Sequence, residues 1–86
     1  MGVSPQFQLL SRPRCHLCHE METLLREVLP ELGLEFSVHD VDSDPEWRRR
    51  FSGVIPVLLR DGQPVAKVRL DRRQLIRLAK RRRRTT

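Results

Sequence analysis

The chain has 86 residues, enough for one small domain and too few for a second core. Apolar residues make up 38% and charged residues 33%, and the apolar ones fall in periodic clusters, which excludes a disordered chain. The net charge of +6 is uneven: residues 1–46 carry three arginines against nine acids, and residues 47–86 carry fourteen lysines or arginines against Asp61 and Asp71. Such a split suits either a basic part that binds polyanions or two attracting faces of one domain.

Phe7 to Ser11 forms a short β-like run that Arg12-Pro13 ends. From Cys15 to Leu29 the apolar residues Leu17, Met21, Leu24, Leu25 and Val28 recur at helical spacing and define one face. Pro30 disturbs the last turn, and Gly33 suits a left-handed stop. Residues 34–41 alternate apolar and polar through Leu34, Phe36 and Val38, the pattern of a strand. Asp44 reads as an N-cap with Pro45 at the first helical position, which predicts a helix through Trp47 to about Phe51.

Val54 to Leu59 then reads as a strand, Arg60-Asp61-Gly62-Gln63 as a hairpin turn, and Pro64 to Val68 as the partner strand. Asp71 caps a last helix with the apolar face Leu75, Ile76, Leu78 and Ala79. The order β-α-β-α-β-β-α predicts an α/β domain over residues 1–80. Its first two strands are parallel in a βαβ unit and its last two antiparallel, giving a mixed four-stranded sheet flanked by three helices. Residues 81–86 form a basic tail.

The longest apolar run, Gly53 to Leu59 with Pro56 inside it, falls short of the ~20 residues that a membrane span needs. No apolar signal core with a cleavage site opens the chain, and the N-myristoylation motif wants Ser or Thr where Gln6 stands. A soluble, cytoplasmic monomer without a membrane partner is expected.

Cys15-His16-Leu17-Cys18 follows a strand and opens a helix, the setting in which a CxxC reads as a redox motif. A sulfur at a helix N-terminus faces free backbone N–H groups and the positive end of the dipole, and both favour the thiolate. Arg14, with Arg12 behind it, adds cationic charge. Cys15 is the expected nucleophile and Cys18 the resolving thiol. His16 would stand at the mouth of the site, and His19, four residues after Cys15, on the same helix face. Three other readings remain open. The cysteines could be small buried hydrophobes. Cys15 to His19 matches the C-x-x-C-H string of haem attachment. Cys15, Cys18, His16 and His19 also supply zinc-ligand types, although from different sides of one helical turn.

The strand, the CHLC string at a helix start, and Gly53-Val54-Ile55-Pro56-Val57 leading into a hairpin together resemble a glutaredoxin-like member of the thioredoxin superfamily. The resemblance covers about residues 6 to 80. It is closest to the small glutaredoxin-like group with a CxxC and an Asp-rich segment, here Asp40-Val41-Asp42-Ser43-Asp44. It implies a thioredoxin-like fold and a thiol–disulfide oxidoreductase with Cys15 and Cys18 catalytic. It also implies a cis Pro56 packed against the cysteines, and an Ile55 backbone that pairs with a bound thiol peptide.

The resemblance has gaps. His16-Leu17 replaces the Pro-Tyr or Pro-Phe of glutathione-binding glutaredoxins, and Lys67-Val68-Arg69-Leu70-Asp71 lacks their Gly-Gly pair. Asp71 matches the family Asp that holds the γ-glutamyl group, but it also serves as an N-cap. Arg14, His16, Ile55, Pro56 and Asp71 are thus the expected substrate-binding residues. No cofactor is expected to bind tightly and no metal is assigned. Glutathione is an expected co-substrate, and a disulfide-containing protein the alternative partner.

Lys80 to Arg84 exceeds what a helix dipole can use, and predicts nonspecific polyanion contact through the tail. With one Trp and three Phe the chain lacks a base-stacking platform. The competing function is a binding module of the same fold, with metal-bound or idle cysteines and a polyanion-contacting tail.

Overall fold

The computed structural model describes residues 6–81. The Met1-Gly2 start and the Arg82 to Thr86 end of the basic tail lie outside the described residues. The elements, in order, are β1 (Phe7–Ser11), α1 (His16–Val28), β2 (Phe36–Asp40), α2 (Pro45–Phe51), β3 (Val57–Arg60), β4 (Gln63–Lys67) and α3 (Arg72–Lys80). Short 3₁₀ turns at Pro30–Leu32 and Val41–Ser43 frame β2. The sheet order is β2-β1-β3-β4, with β1 parallel to β2 and the other two pairs antiparallel. This is the expected mixed sheet.

Adjacent leucines of β1 point to opposite faces, because strand side chains alternate. Phe7 and Leu9, with Leu58 of β3, pack under Met21, Leu25 and Val28 of α1 and Leu75 of α3. On the other face, Leu10, Val57 and Leu59 pack with Val41, Phe51 and Trp47 beneath α2. Two helices therefore cover one side and one covers the other.

Local chemistry sets the boundaries. Gly33 closes the first 3₁₀ turn at φ 72°, a conformation that costs a glycine nothing. Asp44 accepts from the Glu46 and Trp47 amides, and Pro45 starts α2 with a preset φ. Asp61 and Gly62 both have positive φ, as a type I′ hairpin turn requires. Asp71 and Gln74 form a reciprocal capping box on α3.

The boundaries of β2, β3 and β4 differ from the sequence reading. β2 begins at Phe36 and ends at Asp40, because Val41 already turns into the second 3₁₀ segment. β3 begins at Val57 rather than Val54, since the Ile55–Pro56 bond is cis and breaks the extended run. β4 is Gln63–Lys67, and Val68 leaves the sheet at φ 67°. A register shift between Leu58 and Leu59 accommodates Pro64 on this edge strand, where a missing N–H is tolerated.

The uneven charge is partly explained by pairing. Arg48 reaches Asp42 (3.7 Å), Arg49 reaches Glu46 (2.5 Å), and Arg72 reaches Glu27 and Glu31 (3.8 Å each). Basic residues of the second half thus neutralise acids of the first.

Candidate functional site

The loop between β1 and α1 carries the chemistry. Ser11 ends β1, Arg14 turns the chain at φ 63°, and Cys15 becomes the N-cap of α1. The backbone carbonyl of Cys15 accepts from the His19 amide (3.0 Å), the first bond of the helix. Its Sγ accepts from the Cys18 amide (3.2 Å), so the sulfur takes the place of a capping oxygen. The first turn of α1 holds no acidic residue, leaving the positive helix end uncompensated.

The Cys15 and Cys18 sulfurs stand at disulfide-bonding distance, 2.22 Å, with Cα atoms 5.2 Å apart. Both cysteines border one groove, but Cys18 is only 3% exposed whereas Cys15 is half-buried. The groove, of about 680 Å³, is lined among others by Arg14, Cys15, His16, His19, Val38 and Asp40. It lies between the start of α1 and the end of edge strand β2.

Of the two arginines beside the sulfur, only one has a protein partner. Arg12 clasps Asp42 through both carboxylate oxygens at 3.0 Å. That hydrogen-bonded pairing holds the Asp42 carboxyl below the usual carboxylate range and raises the Arg12 pKa further. Arg14 is exposed and has no ion pair among the described residues. His16 is 86% exposed, its Nε2 3.9 Å from a Glu20 oxygen.

The remaining expected site residues are Ile55, Pro56 and Asp71. Ile55 packs at the core beneath α2, and Pro56 is cis and buried; neither lines the Cys15 groove. The Pro56 carbonyl accepts from the Val68 amide at 2.7 Å. Asp71 also stays outside the groove, its carboxylate accepting from the Gln74 amide at 2.7 Å. A smaller groove of about 160 Å³ on the other side of the CxxC is lined by Leu17, Glu20, Met21, Val68, Arg69 and Leu70.

Sequence reasoning missed two residues. Val38 (42% exposed) and Val68 (37%) are the large exposed apolar side chains among the described residues. One lines the groove with Cys15 and the other the groove with Leu17. The alternation in β2 reads Val38 as a core position, but its end of the edge strand borders the open groove. The positive φ of Val68 carries no sequence signal, since a β-branched residue is the last expected there.

The family model described as "Glutaredoxin-like domain (DUF836)" matches residues 6–79. An uncharacterized protein of Mycobacterium tuberculosis (strain H37Rv), Rv0508, and its Mycobacterium bovis counterpart, Mb0520, are each 33% identical over 76 residues. The match covers 83% of this chain and 78% of theirs. Among solved structures, protein Ne2328 of Nitrosomonas europaea aligns with a TM-score of 0.71 at 25% identity, covering 91% of this chain and 95% of that one. A glutaredoxin of Archaeoglobus fulgidus shares the fold, with a TM-score of 0.59 at 15% identity over 88% and 87% of the two chains.

Proposed function

The chain belongs to the glutaredoxin-like domain family, and from that premise we propose that it is a thiol–disulfide oxidoreductase working through Cys15 and Cys18. The supporting observation is the asymmetric cysteine pair at the start of α1, bordering an open groove: a half-buried Cys15 at the helix N-cap, bonded to a buried Cys18. In the reduced protein, the free amides and the helix dipole favour a Cys15 thiolate, and Arg14 adds a cation nearby. Burial keeps Cys18 a thiol until a mixed disulfide forms beside it.

The cycle balances as follows. The Cys15 thiolate attacks one sulfur of the substrate disulfide and expels the other as a thiolate. Cys18 gives up its proton and attacks the Cys15 sulfur, closing the Cys15–Cys18 bond and releasing the second substrate sulfur as a thiolate. Two electrons pass from the protein to the substrate. Two glutathione molecules, or the dithiol of a reductase, return them, as a reducing cytoplasm would favour. The substrate is a protein disulfide or a glutathione mixed disulfide. Arg14 and His16, which line the Cys15 groove, would meet it there, whereas Ile55, Pro56 and Asp71 stand outside that groove and enter its binding surface only through the family resemblance.

Intact-mass spectrometry after equilibration in glutathione buffers and acid quenching tests this. The expected result is a titrating intramolecular disulfide, with one glutathione adduct on Cys15 in the Cys18→Ser variant and turnover abolished in Cys15→Ser. A wild-type protein that stayed fully reduced, or a Cys15→Ser variant that kept its activity, would overturn the reading.

A further inference from the structure

Helix α3 divides its cations into two groups. Arg72 turns toward α1 and the turn after it, meeting Glu27 and Glu31. Arg60 is also engaged, donating to the Leu78 carbonyl and lying over the Phe7 ring at 5.5 Å. Arg69, Arg73, Arg77, Lys80 and Arg81 are exposed and have no ion pair among the described residues. At about 100° per residue, Arg73, Arg77 and Lys80 fall within an arc of roughly 60°, opposite the buried Leu75. Arg69 extends this face: with Gln74 and Arg77 it lines an open groove of about 240 Å³ between β4 and α3. Arg81, the C-cap, extends it at the other end, where the sequence continues with Arg82, Arg83 and Arg84.

Helix stability does not account for this row. Cations help a helix in its last turn, where Arg77 and Lys80 stand. Arg73 is in the first turn and Arg69 precedes the cap, at the positive end of the dipole, where a cation is unfavourable. Five like charges without internal counter-ions repel one another, and an external polyanion relieves that repulsion.

We propose that this face of α3 binds the phosphate backbone of duplex nucleic acid. The helical part of the row, Arg73 to Arg81, covers ~12 Å at helical rise, a length over which a duplex presents about seven phosphate charges. The apolar side of α3 is engaged in the core through Leu75, Ile76 and Ala79, so the helix has no free apolar face with which to enter a membrane. A protein interface would need an exposed apolar or aromatic anchor at its centre; Val65, Ala66, Leu70 and Leu78 also line the groove beside Arg69, but each is partly buried and none is an exposed large hydrophobic. Phe7 and Phe51 are buried, Phe36 packs against the core and Trp47 leans on His39, so no ring on α3 is offered to a single-stranded base among the described residues. Binding is therefore independent of sequence and governed by salt. It does not involve the Cys15 groove, and it stands or falls separately from the redox reading.

The test is fluorescence anisotropy with a mixed-sequence 20-base-pair duplex at a series of salt concentrations, using the full chain. Five phosphate contacts predict a fall in affinity of roughly 500-fold between 50 and 200 mM salt, steeper still if the tail contributes. Replacing Arg73, Arg77 and Lys80 together by Gln should flatten the log–log slope by about 2.7. Circular dichroism and the midpoint of the Cys15–Cys18 couple should stay unchanged, which separates lost binding from lost folding. A double Cys15→Ser, Cys18→Ser variant should bind like the wild type. The proposal fails if the duplex does not bind at 50 mM salt. It also fails if the triple variant keeps the wild-type slope while Arg82, Arg83 and Arg84 to Gln abolishes binding. Tighter binding to phosphatidylglycerol vesicles than to the duplex, at equal phosphate concentration, would likewise overturn it.

Discussion

The amide of Val68 donates to the carbonyl of Pro56 at 2.7 Å, while the amide of Arg69 reaches back to Lys67 across Val68 at 2.7 Å. These two bonds hold Val68 in a γ-turn at φ 67°, a conformation that a β-branched residue adopts only under constraint. The turn places an exposed apolar side chain beside Leu17 of the CxxC.

Relief of that constraint is measurable. A left-handed β-branched residue costs ~1–3 kcal/mol, of which glycine recovers most while adding some unfolded-state entropy. Val68→Gly is therefore expected to stabilise the fold by about 1 kcal/mol in urea unfolding, because little apolar burial is lost at an exposed site. A destabilised variant would show that the side chain contributes more packing than the turn costs.

Arg14 and Arg12 should act differently on the nucleophile. Arg14 is free of protein partners among the described residues, whereas Arg12 is neutralised by Asp42. In a Cys18→Ser background, Arg14→Gln should weaken the Cys15 thiolate at low salt, and less as salt screens the charge. Arg12→Gln should have the smaller effect. Thiolate absorbance against pH reads both directly, and equal effects would mean that the Asp42 clasp does not hold Arg12 away from the sulfur.

The Arg12–Asp42 clasp carries its own pH signature. Asp42 titrates lower in the folded chain than its ordinary value, chiefly through the Arg12 hydrogen bonds, aided by the charges of Arg12 and Arg48 and opposed by desolvation. A depressed folded pKa contributes stability above the unfolded pKa, and that contribution disappears as pH falls through the folded one. Arg12→Gln should thus lower stability at neutral pH and converge with the wild type in acid, below the Asp42 titration. The Asp42 carboxyl titration should move up toward the ordinary carboxylate range in the variant. An unshifted resonance would remove the clasp from the account.

Much of this was legible from residue pattern because the signals are local. Asp44-Pro45, Asp61-Gly62 and Asp71 each determine a cap or a turn within four residues, and the structure places all three as the pattern implies. The CxxC was legible for the same reason, as a string at a strand-to-helix junction. What escaped depends on neighbours distant in sequence. Val38 is apolar and alternates correctly, yet β2 is an edge strand and nothing among the described residues covers its far end. Arg12 and Arg14 look equivalent in sequence, and only the fold brings Asp42 to one of them. Val54 and Ile55 read as strand because they continue the apolar run into Val57, although the resemblance already implied the cis Pro56 beside them.

Asp71 allows capping to be separated from substrate binding. Its carboxylate accepts from the Gln74 amide, and its own amide donates to the Gln74 side chain. Asp71→Ala should cost ~1 kcal/mol through the lost cap, whereas Asp71→Asn retains an accepting oxygen and should stay within a few tenths of the wild type. If Asp71 is only a cap, glutathione-dependent turnover should follow stability, and the Asn variant should be fully active. If the carboxylate also holds the charged end of glutathione, Asp71→Asn should raise KM for the glutathione substrate several-fold while urea unfolding remains unchanged. A charge-assisted contact is about twice as strong as a neutral one, so the neutral amide cannot replace it. The lack of the Gly-Gly pair before α3 favours the first outcome, since Lys67 to Asp71 carries a side chain at every position.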